Sequence, residues 1–306
     1  MSNILASFIG RVQREELNVF SIVLTNGDGP FAEHHFAPDE PRCVYSVAKS
    51  YLSTAVGMAI DDGLLGLEEL VTDTLCDHLP DDLDPNYNKI TLRHLLTMSS
   101  GHKNAILMEK ERWALRAQDW AKHVFEQPLP LEPGTRFVYS NGSCYLASLM
   151  VEKATGKTLR DYLFERLFEP MGIAYPEWEH CPLGHTFAPS RLVLTTEEMS
   201  RLGVLYLQGG IYNGKRLLSL PWVQEATRKQ IDSCALLENF PCKDDCYGYG
   251  YQFWMTQIPG VYRAFGRIGQ NVIVIPDKNV VIATQAEQLN SQPILDAIWE
   301  EVYPRL

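Results

Sequence analysis

The sequence predicts an α+β fold, in which an antiparallel sheet is flanked by helices and interrupted by a mainly helical insertion. Short apolar runs separated by tight turns occur near both ends of the chain, a pattern typical of antiparallel strands. Helical patterns at both termini can cover such a sheet. Between these parts, residues 64–189 contain short helical patterns punctuated by prolines. We therefore assign residues 1–63 and 190–306 to one domain and residues 64–189 to the insertion, with a functional cleft at their junction.

The composition is that of a globular protein with an ordinary core. The chain has 306 residues, of which 45% are apolar. Its formal net charge is −11 without a basic stripe, which argues against nucleic acid or an anionic membrane as the main partner. Residues 1–18 lack an apolar run behind a basic start, and no run of about twenty apolar residues occurs. We expect a cytoplasmic protein without a signal peptide or a membrane span.

The seven cysteines form no regular framework. Their odd number is typical of reduced thiols, and we expect no structural disulfide. Cys242 and Cys246 flank three charged residues, but a metal site would need a second pair of ligands that the sequence does not offer. A surface loop is the preferred interpretation, and no pattern indicates a metal or a cofactor.

The N-terminal part is predicted to form a helix and a hairpin before a second helix. Residues 2–16 have a helical pattern, and residues 19–24 and 31–36 have strand patterns joined by a turn at 25–30. Apolar residues at helical spacing then run from Val47 to Ile60, and Gly63 is suited to end that helix.

A serine and a lysine three positions apart, Ser46 and Lys49, stand at the start of this second helix. Three residues is just under one helical turn, so Lys49 lies on the same face as Ser46 and its ammonium can reach the hydroxyl. The N–H groups of a first helical turn lack intrahelical partners and can stabilise an oxyanion that forms beside Ser46. The pattern predicts that Ser46 is a nucleophile.

A second S-x-x-K match occurs at Ser100 and Lys103. It follows a helical pattern at residues 92–97 and contains Gly101, which is typical of a helix end. The two side chains would then not share a helix face, so we exclude this match as a site.

The remaining elements are predicted from pattern and turn chemistry. A Pro-Gly turn leads into a short apolar run that presents Tyr139 and Asn141 on a loop. Thr195 and Glu198 form a capping pattern for the next helix. The further predicted elements are helices at 145–155, 199–207 and 293–302 and strands at 249–256, 260–265, 271–275 and 280–284.

Three ordered motifs resemble the class C β-lactamase-related family of penicillin-recognising serine hydrolases. They are S-x-x-K at Ser46, the run from Tyr139 to Asn141, and a glycine-bounded stretch at residues 266–270. The family includes esterases, D-aminopeptidases, 6-aminohexanoate-dimer hydrolases and D-Ala-D-Ala carboxypeptidases. The resemblance covers nearly the whole chain and implies a β-lactamase/transpeptidase-like fold.

The resemblance also implies roles for individual residues. Ser46 would be the nucleophile, Lys49 its partner, Tyr139 a general base, and Asn141 a hydrogen-bonding residue for Lys49 or for substrate. An ammonium beside a phenol favours phenolate, while burial of a lysine favours its neutral form, so either Tyr139 or Lys49 could take the serine proton.

The third motif departs from the family pattern. Members usually have Lys or His, a small residue and Gly, whereas Arg267, Ile268 and Gly269 take those positions here. Arginine cannot shuttle protons, so we expect Arg267 to orient an anionic or strongly hydrogen-bonding substrate group. The backbone N–H of Gln270 is expected to be a second oxyanion donor. Alternatively, Arg267 is a solvated strand residue.

These observations favour a serine hydrolase that forms an acyl-enzyme on a small-molecule ester or amide. A β-lactamase or D-Ala-D-Ala peptidase is an alternative, which the missing export signal disfavours. A catalytically weak binding protein on the same fold is another, and its main support is the altered third motif.

Overall fold

A computed structural model describes residues 4–234 and 243–306. The described strands are β1 (Val19–Asn26), β2 (Gly29–His35), β3 (Arg42–Cys43), β4 (Val193–Leu194), β5 (Ile211–Tyr212), β6 (Lys215–Arg216), β7 (Trp254–Met255), β8 (Tyr262–Gly266), β9 (Gln270–Ile275) and β10 (Val280–Ala286). Six of them form the main antiparallel sheet, in the order β2-β1-β10-β9-β8-β7. The predicted α+β class with an antiparallel sheet is confirmed.

Helices surround the sheet and fill the middle of the chain. They are α1 (Ala6–Arg14), α2 (Ala48–Asp61), α3 (Val71–Thr74), α4 (Leu92–Leu96), α5 (Glu109–Ala114), α6 (Trp120–Phe125), α7 (Asn141–Thr155), α8 (Leu159–Leu163), α9 (Thr196–Leu207), α10 (Leu220–Thr227) and α11 (Gln292–Ala297). Two π-helical turns, Phe164–Phe168 and Ile298–Val302, continue α8 and α11. The predicted start of the first helix at residue 2 lies outside the described residues.

The N-terminal hairpin is tighter than predicted. Asn26 pairs directly with Gly29, so the turn consists of only two residues, Gly27 and Asp28, rather than residues 25–30. The side chain of Asn26 accepts a hydrogen bond from the Asp28 backbone N–H at 2.9 Å, which is a local way of stabilising such a turn. Strands β1 and β2 therefore extend closer to the turn than predicted.

The sheet is buried on both faces, and each face has its own core. Ile273 and Ile275 point to one side, where they pack with α1 and α11. Val272 and Val274 point to the other side, where α9 lies. The predicted capping box of α9 is confirmed, because Thr195 Oγ1 accepts from the Glu198 N–H and the Glu198 carboxylate accepts from the Thr195 N–H.

The α2 helix connects the sheet to the segment 64–189. Its residues from Ala48 to Ala59 are all buried, and the helix packs against α7 and α8. The named elements between residues 64 and 189 are helices, joined by isolated bridges such as that between Leu70 and Thr91. The insertion is therefore mainly helical, while its division from the rest of the chain as a domain stays a prediction.

Two further element boundaries differ from the prediction. The strand predicted at 249–256 is reduced to Trp254–Met255, because Gln252 has a left-handed φ of +64° that breaks the extended backbone. The helix predicted from residue 145 begins at Asn141, since Ser140 in extended conformation already takes the N-cap position.

No helix among the described residues is long and apolar enough to cross a bilayer. Within the same residues, no group of three or more His, Cys, Asp or Glu side chains is arranged to hold a metal ion. The six cysteines in this part of the chain are free, and Cys242 lies outside the described residues.

Candidate active site

Ser46 lies in a 3-10 turn, Tyr45–Val47, that runs directly into α2. The residue before it, Tyr45, has a positive φ of 47°, a strained conformation that often marks functional sites. Lys49 lies in the first turn of α2, and its Nζ donates a hydrogen bond to Ser46 Oγ at 3.0 Å. The structure thus brings Ser46 and Lys49 together on one helix face.

Lys49 is buried, and three oxygens surround its amine. Besides Ser46, Nζ donates to Asn141 Oδ1 and to the carbonyl of Pro189, both at 2.9 Å. Burial lowers the pKa of Lys49 to about 8. A neutral amine has two N–H groups and one lone pair, so with Asn141 and Pro189 as acceptors its lone pair faces the Ser46 hydroxyl. The site can therefore deprotonate a serine.

Tyr139 is buried beside the same hydroxyl. Its ring stacks on Trp254 with 5.5 Å between the ring centroids, and Lys49 Nζ lies 4.8 Å from the centroid of the tyrosine ring. Burial raises the pKa of Tyr139 far above its usual range, and a hydrogen bond with Ser46 opposes this only in part. This direction favours the neutral phenol at rest, and the general-base role expected for Tyr139 stays a prediction.

Asn141 is held at both ends of its side-chain amide. Its Oδ1 accepts from Lys49, and its Nδ2 donates to the Leu107 carbonyl at 3.1 Å. Of the two roles left open by the sequence, the contact with Lys49 is the one present here. Asn141 orients Lys49 from the first turn of α7.

The third motif is split by the structure. Arg267 borders the same cavity as Ser46, whereas the described lining of that cavity includes neither Gly269 nor Gln270. Gly269 has a φ of +100° in the β8–β9 turn, and an added Cβ would lie 2.8 Å from Ala286 Cβ. Gln270 is buried, and its Nε2 donates to the Ala286 carbonyl at 2.7 Å. These two residues have contacts within the β8–β9 hairpin, and the role expected for the Gln270 backbone N–H stays a prediction.

Gly266 marks where the sheet approaches the nucleophile. An added Cβ at this position would lie only 2.7 Å from the carbonyl oxygen of Val44, two residues before Ser46. Only glycine permits this approach, which brings the backbone after Gly266 to the cavity. The backbone N–H of Arg267 is consequently a better candidate for the second oxyanion donor than that of Gln270. Gly266 was visible in the sequence, but it was interpreted only as the first residue of the third motif.

A cavity of about 510 Å³ opens at Ser46. Part of its wall is apolar or aromatic and consists of Met108, Tyr139, Trp254, Phe265 and Leu289. Of these five residues, only Tyr139 was predicted from the sequence to belong to a site. The cavity has the size and character of a small-molecule site.

The second S-x-x-K match does not form a pair. Ser100 is buried and hydrogen-bonded to His102 Nδ1 at 2.8 Å, whereas Lys103 is exposed. The positive φ of Gly101, 99°, separates the two side chains. The structure agrees with the prediction that these two side chains do not share a helix face.

A family model described as Beta-lactamase matches residues 21–301 of this chain. The chain belongs to the beta-lactamase family. The match extends over most of the sequence and confirms the predicted family and fold. Its relatives include an esterase and a 6-aminohexanoate-dimer hydrolase.

Two curated relatives and one solved structure illustrate the likeness. Lovastatin esterase from Penicillium rubens is 28% identical over 193 residues, which cover 56% of this chain and 48% of the esterase, about half its length. The 6-aminohexanoate-dimer hydrolase from Paenarthrobacter ureafaciens is 24% identical over 290 residues, covering 88% of this chain and 72% of that enzyme. The octameric penicillin-binding protein homologue from Pyrococcus abyssi has a TM-score of 0.76 at 16% identity, over 97% of this chain and 75% of that one. This structural likeness concerns the fold.

Proposed function

We propose that the protein is a serine hydrolase that cleaves a small ester or amide through an acyl-enzyme on Ser46. The observation that carries this proposal is the 3.0 Å contact between Lys49 Nζ and Ser46 Oγ at the edge of a cavity. A buried lysine with two further acceptors is a suitable base for a serine that is otherwise a weak nucleophile.

In the acylation step, neutral Lys49 takes the proton of Ser46 while Oγ attacks the substrate carbonyl carbon. The backbone N–H groups of Ser46 and Arg267 are the proposed donors to the oxyanion. The bond to the leaving oxygen or nitrogen then breaks, and the proton passes from the Lys49 ammonium to the leaving group. The Tyr139 phenol, which is hydrogen-bonded to Ser46, is placed to relay this proton.

In the deacylation step, water attacks the acyl-enzyme. Lys49, neutral again, accepts a proton from that water as its oxygen attacks the acyl carbon. The bond to Ser46 Oγ then breaks, the Lys49 ammonium returns the proton to Oγ, and the acid is released. Asn141 and the Pro189 carbonyl hold the amine in place through both steps. The names of the two curated relatives support esters and amides as the substrate class.

The proposal is tested by incubating the protein with a fluorophosphonate, followed by intact-mass measurement and peptide mapping. We expect one adduct, on Ser46, and its loss in Ser46→Ala. The matched control is Ser100→Ala, which removes the serine of the other S-x-x-K match and should label like the wild type. Labelling that persists in Ser46→Ala would contradict the assignment. Turnover of p-nitrophenyl esters, an anilide and a chromogenic β-lactam then separates the ester, amide and β-lactam alternatives.

A further inference from the structure

Glu109 bridges two arginines at the rim of the cavity. Its Oε1 lies 3.3 Å from Arg191 Nη2, and its Oε2 lies 3.2 Å from Arg267 Nη1. Each carboxylate oxygen therefore contacts one guanidinium. Glu109 and Arg267 both line the cavity that contains Ser46, so this ion pair borders the space available to a substrate.

Both arginines are anchored beside the nucleophile. Arg191 precedes Leu192, whose carbonyl accepts from the Val44 N–H at 2.8 Å, and Arg267 follows Gly266, which lies against Val44. Glu109 comes instead from the first turn of α5, in the helical insertion. The backbone at both arginines is thus fixed relative to Ser46, their two guanidinium groups form an anion-binding site, and the insertion supplies the carboxylate that fills it.

The other charged side chains at the cavity have partners or are exposed. Arg112 contacts Glu179 at 3.2 Å, and Asp245 contacts Arg263 at 2.6 Å. Lys110 also lines the cavity, as a single ammonium; it is exposed, so water screens its charge as it screens that of Arg267. The place where two guanidinium groups converge is the one best suited to a substrate carboxylate.

We propose that Glu109 is a specificity-determining residue: it fills the two-arginine site with the protein's own carboxylate and thereby directs the enzyme to acyl groups whose far end is uncharged. This inference rests on the proposed function. A substrate carboxylate would have to displace Glu109 and would meet its negative charge, whereas an alkyl group would meet the apolar wall formed by Met108, Phe265 and Leu289. Arg267 accordingly recognises anions only when Glu109 is removed or neutralised.

The test compares two p-nitrophenyl esters of equal chain length, those of pentanoic acid and of glutaric acid. They differ only in ending in a methyl or in a carboxylate. We expect the wild type to have the higher kcat/KM for the pentanoate. In Glu109→Gln, the ratio of glutarate to pentanoate kcat/KM should rise about tenfold, because a like charge is lost and the Arg267 guanidinium is released, while Arg191 keeps its contact with Glu179. In Glu109→Gln/Arg267→Gln, most of this gain should disappear.

Glu111→Gln is the matched control, because Glu111 lies on the same helix but contacts His123 at 3.0 Å instead of the rim. This variant should keep the wild-type ratio. A wild type that prefers the glutarate ester, or a ratio in Glu109→Gln within twofold of the wild type, overturns the inference. Loss of turnover on both esters together with absent labelling of Ser46 would instead contradict the proposed function, so the two failures are distinguishable.

Discussion

Lys49 is the residue on which the proposed chemistry depends most, and its ionisation should set the pH dependence. Burial lowers the pKa of Lys49 from 10.5 to about 8. Below that pH the ammonium predominates and cannot accept a proton, and above it the neutral amine predominates. We therefore expect kcat/KM for a neutral ester to rise with pH through a midpoint near 8 and then to level off.

The pH profile is measured from pH 6 to 10 with p-nitrophenyl pentanoate. Lys49→Met should abolish turnover, while Lys103→Met, which removes the exposed lysine of the other S-x-x-K match, should keep both rate and midpoint. A midpoint close to the usual lysine value of 10.5, or a flat profile, would show that Lys49 is not the base.

Tyr139 should contribute as a neutral phenol rather than as a phenolate, because burial raises its pKa. We expect Tyr139→Phe to lower kcat by roughly 10² to 10⁴, the usual contribution of a positioned proton-transfer group. The pH midpoint should stay near that of the wild type, because Lys49 determines it. A shifted midpoint in this variant would instead show that the ionisation of Tyr139 contributes to the pH dependence.

Tyr249→Phe provides the control for this prediction. Tyr249 is buried with its ring 6.3 Å from that of Tyr139, but its hydroxyl contacts Gln252 rather than Ser46. Its removal should change turnover by only a few-fold. Similar losses in both variants would point to damage to the aromatic wall and away from proton transfer.

At the level of elements, α2 tolerates no added volume on the side that faces α10. A Cβ at Gly57 would overlap the indole ring of Trp222, which is too large to move aside in a packed core. We expect Gly57→Ala to lower the free energy of unfolding by about 1–3 kcal/mol. Denaturant titration measures this change.

Gly10 is the matched position, because it lies inside α1 and an added Cβ there would meet no atom within 4 Å. Gly10→Ala should raise the free energy of unfolding by about 0.5–1 kcal/mol, since alanine has the higher helix propensity. Equal effects of the two substitutions would refute close packing as the reason for Gly57.

For the whole molecule, the core predicts cooperative unfolding despite the helical insertion. One continuous cluster of buried residues contains Leu52 and Val56 of α2, Leu146 of α7 and Val274 of the sheet. Neither part can expose its side of this cluster without exposing the other. We expect a single unfolding transition that coincides in circular dichroism and tryptophan fluorescence.

The tryptophans are well distributed for this experiment, because three lie within residues 64–189 and three outside. They are Trp113, Trp120 and Trp178 in the insertion and Trp222, Trp254 and Trp299 elsewhere. Phenylalanine substitutions in either set should leave the same midpoint by both methods. Two separated transitions would mean that the insertion has an independent core.

The sequence by itself determined the features that depend on neighbouring residues. Ser46 and Lys49 share a helix face because three residues make nearly one turn, and the Thr195 capping box forms within four residues. The antiparallel pairing of β1 with β2 and of β9 with β10 follows from short turns between apolar runs. Local patterns also failed at one place: the predicted strand 249–256 is shortened because the backbone of Gln252 is left-handed.

Only the tertiary structure decided how distant residues meet. Asn141 and Pro189 reach Lys49 from 92 and 140 positions away, and Glu109 contacts Arg267 across 158 positions. Such contacts depend on how the whole core packs, and no local spacing encodes them. The same packing buries Tyr139, which raises its pKa and favours the neutral phenol. It also places Arg267 beside Glu109. The residue types of the site and, through the family resemblance, the contact of Asn141 with Lys49 could be predicted from sequence. The burial that shifts the pKa values of Lys49 and Tyr139, and the contacts of Pro189 and Glu109, could not, because they depend on elements far apart in the chain.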